Sequence, residues 1–337
     1  MMELGVALIE TEGLVIGYPS SKGSRAVAGP LDLTVYGGKL ICLLGPNGSG
    51  KSTLLRTLAG LQPASAGRIL LDGLPLKTLK APVIARKLSL VLSEKVTGSN
   101  LDVYSLIALG RYPYSGWFGK LNAEDRAMIV GAAELTDTTR FLDRKLDSLS
   151  DGECQKVMLA RAIAQDTPVV VLDEPTAHLD LPSRLKLMQL LYNLAHETGK
   201  AIIVSTHELD LALQASDLIW LMDGRGALYS GLPEQLVLDG VFEKAFNREE
   251  INFDPYTGHF TIPRVLKQQV SLNGDGLALI WTKKALERCG YWVTDSFNSE
   301  FHVSIEVWNG GLRWTVSISG QPDQYFKDLQ QLMDTLV

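Results

Sequence analysis

The stretch GPNGSGKST, residues 45–53, holds the densest chemistry in this chain. Gly45, Gly48 and Gly50 let backbone N–H groups close in on an anion, and the spacing fits a loop that cradles a polyphosphate between a strand and a helix. Pro46, Asn47, Ser49 and Thr53 complete the loop. Lys51 supplies a point charge for the β- and γ-phosphates, and Ser52 a hydroxyl for Mg²⁺. Further on, VVVLDEP ends an apolar run in two carboxylates. Asp173 is placed to hold the Mg²⁺ or its water shell, and Glu174 to act as general base toward an attacking water. IIVSTH ends in His207. A lone histidine is more often structural. This one closes a strand of the same sheet, so it opens onto the edge where such folds bind ligands, within reach of a γ-phosphate. Tyr18, in GLVIGYP, either stacks on a base from an early strand or packs in the core, and the sequence leaves both readings open.

A second anion-seeking helix start follows in LSDGE, 149–153. Ser150 can cap, and Glu153 sits three residues on, the reciprocal capping arrangement. A helix start with a hydroxyl and Gly152 attracts phosphate. One chain thus carries two phosphate-binding helix starts.

The elements that must position these residues read clearly in places. KLICLLG is a nearly continuous apolar run, as expected of a strand buried on both faces. KSTLLRTLAG reads as a helix ended by Gly60, LDLTVY as an alternating strand, and RILLDGLPL as a hairpin turning at Asp72-Gly73. From about 94 to 165 helical periodicity dominates, which reads as a helical insertion. Strands PVVVLDE, AIIVSTH and DLIWLMD then alternate with helices, implying a largely parallel sheet with crossover connections. These segments form one domain over 1–246. The turn-rich stretch 247–265 reads as a linker, and 266–337 as a small α+β unit ending in a helix over DQYFKDLQQLM. Trp281, Trp292, Trp308 and Trp314 in that unit line a pocket or fill its core.

The 337 residues exceed the usual single-core size, consistent with two domains. A net charge of −6 gives no basic excess and points away from nucleic acid. Cys42, Cys154 and Cys289 are widely spaced and share no CxxC pattern, so they read as reduced thiols, with Cys42 in the core. No apolar stretch is long enough to span a bilayer, and the start MMELGVALIE lacks the basic region of a signal peptide.

The loop 45–53, LSDGE, VVVLDE, HLD with Asp180, and STH with His207 stand in the order and spacing of the ATP-binding cassette (ABC) ATPases. The chain resembles that family over residues 1 to about 240. Within it, the chain looks like the ATPase subunit of metal-chelate importers for iron–siderophore, haem or cobalamin, with IALGRYPYSGWFG, 107–119, closest to siderophore-type members.

The resemblance implies an α/β fold of the P-loop NTPase type, with a mixed sheet, a helical insertion and a small C-terminal α+β domain. It implies ATP and Mg²⁺, and a head-to-tail homodimer that sandwiches each ATP. Ser150 and Gly152 of one copy would then contact the γ-phosphate held by Lys51 of the other, with Asp180 at the dimer seam. It implies a multi-span membrane permease as partner, a periplasmic or lipoprotein substrate-binding protein indirectly, and a peripheral position on the cytoplasmic face of the inner membrane.

Two departures stand out. Asp151 and Glu153 replace the family's Gly and Gln; their side chains are expected to turn away from phosphate. Ser93 falls where the family places a metal-reaching glutamine: either Ser93 is a weak ligand there, or Glu94, next to it, substitutes. Two other readings are weighed against the importer ATPase. A soluble ATPase of the same fold would carry two cassettes or a long coiled coil, and neither is present. A regulatory nucleotide-binding module with weak hydrolysis would draw support from Asp151, Glu153 and Ser93.

Overall fold

The computed structural model describes residues 6–20, 23–93, 100–115, 119–246, 252–261, 268–294 and 299–336. It comprises two compact units, residues 1–261 and 262–337.

The first unit opens with β1 (Ala7–Ser20), β2 (Gly23–Leu31) and β3 (Thr34–Tyr36). LDLTVY is therefore broken at Asp32-Leu33, where the Thr11 hydroxyl accepts the Leu33 N–H and the chain passes from one pairing partner stretch of β1 to another. Next come β4 (Lys39–Leu44), α1 (Lys51–Leu58), β5 (Ala66–Leu71) and β6 (Leu74–Pro75). Asp72 and Gly73, at φ 55° and 71°, turn the last two strands, as the Asp-Gly pair requires. The strands β1, β2, β3, β5 and β6 make one antiparallel sheet.

The chain continues through α2 (Ala81–Ile84), β7 (Leu88–Val91), α3 (Val103–Ala108), α4 (Ala123–Leu135), α5 (Asp151–Ala164), β8 (Val169–Asp173), α6 (Leu181–Thr198), β9 (Ala201–Ser205), α7 (Leu209–Ala215), β10 (Leu218–Met222), β11 (Leu228–Gly231), α8 (Pro233–Leu238) and α9 (Val241–Phe246). The second sheet runs β11-β10-β4-β9-β8-β7. All its neighbours are parallel except the β10–β11 pair, so the sheet is mixed.

Alternate residues of its strands feed two different cores. Ile41, Leu43, Val169, Val171, Ile203 and Trp220 pack with Leu54 and Leu58 of α1 and with the antiparallel sheet. Leu40, Cys42, Val170, Leu172, Ile202 and Val204 pack with residues of α3 to α9. This two-sided burial is why these strands read as unbroken apolar runs. Burial pushes the Cys42 thiol up to about 12, leaving it an inert core group.

Within 247–265, read above as a linker, residues 252–261 form a hairpin, β12 (Asn252–Asp254) and β13 (His259–Thr261). Phe253 enters the first unit's core, 5.2 Å from Phe242 ring to ring, and His259 Nδ1 lies 2.9 Å from Asp210 Oδ1 on α7. Residues 247–251 and 262–265 of that stretch lie outside the described residues.

The second unit contains β14 (Gln269–Asn273), α10 (Gly276–Arg288), β15 (Trp292–Thr294), β16 (Phe301–Trp308), β17 (Gly311–Ile318), β18 (Gln324–Phe326) and α11 (Leu329–Leu336), with sheet order β15-β14-β16-β17-β18. QYF is a strand rather than the start of the last helix, which begins at Leu329. Of the four tryptophans only Trp314 is core, its indole N–H donating to Thr282 Oγ1 at 2.8 Å. Trp281, Trp292 and Trp308 are each more than half exposed, so they do not fill a core. Among the described residues no helix is long and apolar enough to cross a membrane.

Candidate functional site

The site is built where β4, β9 and β8 end side by side. In β4–β9 register Leu43 pairs with Ser205, and in β8–β9 register Asp173 pairs with Ser205. The loops that follow these strands therefore share one edge, where ligands of parallel sheets bind.

The loop after β4 needs its glycines. A Cβ at Gly45 (φ 150°) would stand 2.6 Å from the Met222 carbonyl oxygen, and one at Gly50 (φ 106°) 2.6 Å from Val27 Cγ1. Gly50 is also the N-cap of α1 and offers no side-chain cap, which leaves that helix start open to an anion. Lys51 is buried, and its ammonium donates to the Gly45 carbonyl at 2.8 Å and to Pro46 at 3.4 Å. Burial holds its pKa below the ordinary lysine value, while Glu174 and Asp173 pull it back up. The Ser49 hydroxyl is buried with no hydrogen-bond partner, an arrangement that suits a phosphate oxygen.

Asp173 is fully buried at the end of β8. Its Oδ1 accepts from Ser205 Oγ at 2.6 Å and from Ser52 Oγ at 3.2 Å, and its Oδ2 is buried without a partner. Such an orphaned carboxylate oxygen is costly unless a cation or its water meets it. No cluster of three or more His, Cys, Asp or Glu among the described residues could hold a metal unaided. The donor set of Ser52 and Asp173 instead fits Mg²⁺, which is commonly held by one or two carboxylates together with substrate phosphates and waters.

Glu174 follows with φ 53°, a left-handed conformation rare outside glycine. Its N–H reaches both Ser205 Oγ, at 2.9 Å, and the Ser205 carbonyl, at 3.2 Å. Its Oε1 lies 2.6 Å from His207 Nε2. The sequence-derived pair is thus in direct contact. Ser205, which orients both acids, escaped the sequence reading; its only signal was its place at the end of the apolar run before His207.

Tyr18 lies half exposed, with its hydroxyl 2.6 Å from Thr53 Oγ1, so it is not a core residue. Ser93 is exposed just beyond β7, and Glu94 lies outside the described residues.

Ser150, Gly152 and Asp180 form a separate group. Ser150 caps α5, and its hydrogen bonds stay within that helix. Gly152 abuts the segment before α6: a Cβ there would come within 3.3 Å of the His178 carbonyl. Asp180 caps α6 by accepting the Ser183 N–H at 3.1 Å, and the Ser183 bonds hold its carboxyl below the usual range. Glu153 makes the reciprocal capping contact that the sequence predicts and folds back on Ser150. Its carboxylate accepts from the Ser150 N–H at 2.8 Å and from the Ser150 hydroxyl at 3.1 Å, with Arg144 3.5 Å away. A negative N3 side chain at a helix start satisfies the cap's own N–H and the dipole at once, which outweighs swinging into solvent.

A model of the ABC transporter family matches residues 28–177, and one of the iron ABC transporter C-terminal domain matches 267–337. The iron(3+)-hydroxamate import ATP-binding protein of Bacillus subtilis is 34% identical over 250 residues, 74% of this chain and 91% of that protein. The chain belongs to the ATP-binding proteins of ABC transporters. The ferric enterobactin transport ATP-binding protein of Escherichia coli K12 is likewise 34% identical, over 76% of this chain and 94% of its own length. Among solved structures, a dimeric bacterial ABC transporter cassette superposes with a TM-score of 0.58 at 26% identity, covering 64% of this chain and 94% of that one. The fold is that of a P-loop ABC cassette, and the chain is an ATPase.

For this ABC ATPase, the segment read as siderophore-like also has a structural role. Arg111 and Asp125 form a buried ion pair at 2.9 Å, and Arg111 also donates to the Ala164 carbonyl and lies 4.1 Å from the Tyr114 ring centroid. One arginine thereby ties α4 and the end of α5 to the GRYPY turn. Residues 116–118 of the segment lie outside the described residues.

Proposed function

We propose that this chain is the ATP-hydrolysing subunit of an importer for an iron chelate, most consistent with an iron–siderophore complex. The cargo reading rests on its relatives, which import iron(3+)-hydroxamate and ferric enterobactin, and on the iron-type C-terminal family model. The observation that carries the catalytic reading is the 2.6 Å contact between Glu174 and His207 beside the Lys51 loop.

In this reading two copies pair head to tail. Lys51 and the backbone of residues 45–53 grip the β- and γ-phosphates of one ATP, Tyr18 stacks on its adenine, and Ser150 and Gly152 of the other copy close on the γ-phosphate. Asp180 lies at the seam. Ser52 and Asp173 hold Mg²⁺, and Ser93 stands at the position nearest the family's metal-reaching residue. When bound, the ion would be held by Ser52 and Asp173 and would neutralise the charge that develops on the transferred phosphoryl group. Glu174 takes a proton from the attacking water as it adds to the γ-phosphorus and the bond to the β-phosphate oxygen breaks. His207 holds Glu174 before ATP arrives and turns to the γ-phosphate afterwards, which couples site closure to the activation of the base.

Work is delivered to a multi-span permease, and through it to a periplasmic or lipoprotein substrate-binding protein, from the cytoplasmic face of the inner membrane. A seat for the permease is the apolar cleft of about 560 Å³ between the end of α1 and α5, lined by Leu61, Ile84, Leu92 and Met158. Leu61 is 63% exposed there, a large apolar side chain with no cover of its own.

The test is Glu174→Gln in the reconstituted transporter. Phosphate release and ferric siderophore uptake should fall together by about 10²-fold or more. Turnover close to that of the parent would refute Glu174 as the base, and ATP turnover without ferric uptake in the parent transporter would refute the cargo.

A further inference from the structure

A second cavity, of about 260 Å³, lies away from the nucleotide loop, between the helical part and α6. Its floor is apolar, made by Leu159 of α5, Leu179, and Leu187 of α6. Gln155, Lys156 and Lys186 stand around it. It is a cleft partly open to solvent, and its volume approaches that of small-molecule sites.

Two further observations point to what it holds. The Gln155 side-chain Nε2 is buried with no hydrogen-bond partner, a donor that lacks its acceptor. Lys156 is 3.6 Å from Asp137, whereas no ion pair involves Lys186 among the described residues. The cavity therefore offers one buried N–H donor, an apolar floor and, at its solvent-facing rim, Lys186 without an ion pair among the described residues, beside the Lys156–Asp137 pair.

We propose that this cavity binds a small amphiphilic carboxylate. One carboxylate oxygen accepts from Gln155 Nε2, the charge faces Lys186, and the hydrocarbon body covers the three leucines. The ligand would bridge α5, which begins at Ser150, and α6, which begins at Asp180. Both helix starts belong to the set that closes on the partner copy's ATP, so an occupied cavity fixes their relative position and slows turnover.

The experiment uses the full chain with octanoate as probe and octylamine, of equal tail and opposite charge, as control. Octanoate should raise the melting temperature saturably and slow phosphate release about fivefold, the lower end of common allosteric couplings. Octylamine should do neither. Lys186→Glu and Gln155→Leu should keep basal turnover and lose the octanoate response. The proposal is overturned if octanoate gives no saturable shift, so that the cavity holds only water. It is equally overturned if octylamine matches octanoate, or if both variants respond as the parent does. The melting readout requires neither hydrolysis nor a permease, so its failure is separable from failure of the transport reading.

Discussion

The Ser205 hydroxyl donates to Asp173 Oδ1 at 2.6 Å and accepts the Glu174 N–H at 2.9 Å. One side chain thus fixes both the Asp173 carboxylate and the backbone of Glu174, the proposed metal ligand and the proposed base. Ser205→Ala removes a charge-assisted bond worth roughly 1.5–3 kcal/mol. Steady-state phosphate release should fall by about ten- to a hundredfold, while Ser205→Thr, which keeps a hydroxyl, should retain most activity. Equal activity in the alanine and threonine variants would show that the hydroxyl has no such role.

The left-handed backbone of Glu174, at φ 53°, makes a stability prediction independent of turnover. A Cβ in this conformation costs about 1 kcal/mol that glycine avoids. Glu174→Gly should therefore unfold at higher urea than Glu174→Ala, although glycine normally destabilises. Both variants should be inactive. The reverse order of urea midpoints would mean that the strain is absent in solution.

Lys51 is buried against two carbonyls before any phosphate arrives, and burial lowers its pKa from the ordinary 10.5. Between that lowered value and 10.5 the unfolded chain binds more protons than the folded one, so stability contributed by this residue rises with pH across that window. Without nucleotide, Lys51→Met should be the more stable protein at pH 7, and its advantage should shrink as pH climbs toward 10.5. ATP should stabilise the parent and not the variant. Parallel unfolding curves at all pH values would contradict this.

Glu153 holds Ser150 in the free chain, and its carboxyl is kept below the usual range first by the Ser150 N–H. In the proposed shared site, an incoming γ-phosphate competes with that charge. Glu153→Gln keeps the cap geometry and removes the charge, so KM for ATP should drop about threefold with kcat little changed, the scale of an exposed charge interaction. Added salt should narrow the difference. A raised KM would show that the carboxylate assists binding.

How much of this was legible in the sequence depended on how local the determinant was. The loop 45–53, Asp173, Glu174 and His207 announce themselves because each follows an apolar run whose two-sided burial fixes it as a strand of the sheet core. The hairpin at Asp72-Gly73 is equally local. Ser205 was missed because its role comes from register with β8, and no single-chain pattern states which strands are neighbours. The hairpin 252–261 looked like a linker because its polar, turn-rich residues hide one buried anchor, Phe253. Gln324–Phe326 was read as helix because its strand identity comes from pairing with β17. The capping box of Ser150 and Glu153 was legible because its bonds are local to one helix start.

The central claim is that ATP is shared between the Lys51 loop of one copy and the Ser150 helix start of another. It is tested most directly by sedimentation of Glu174→Gln with ATP and Mg²⁺, alongside Ser150→Arg in the same background. The account predicts an ATP-dependent dimer for Glu174→Gln that dissociates without nucleotide and fails to form when Ser150 is replaced. A protein that stays monomeric with ATP bound, alone and with its permease, or that pairs equally well with Ser150→Arg, would contradict it.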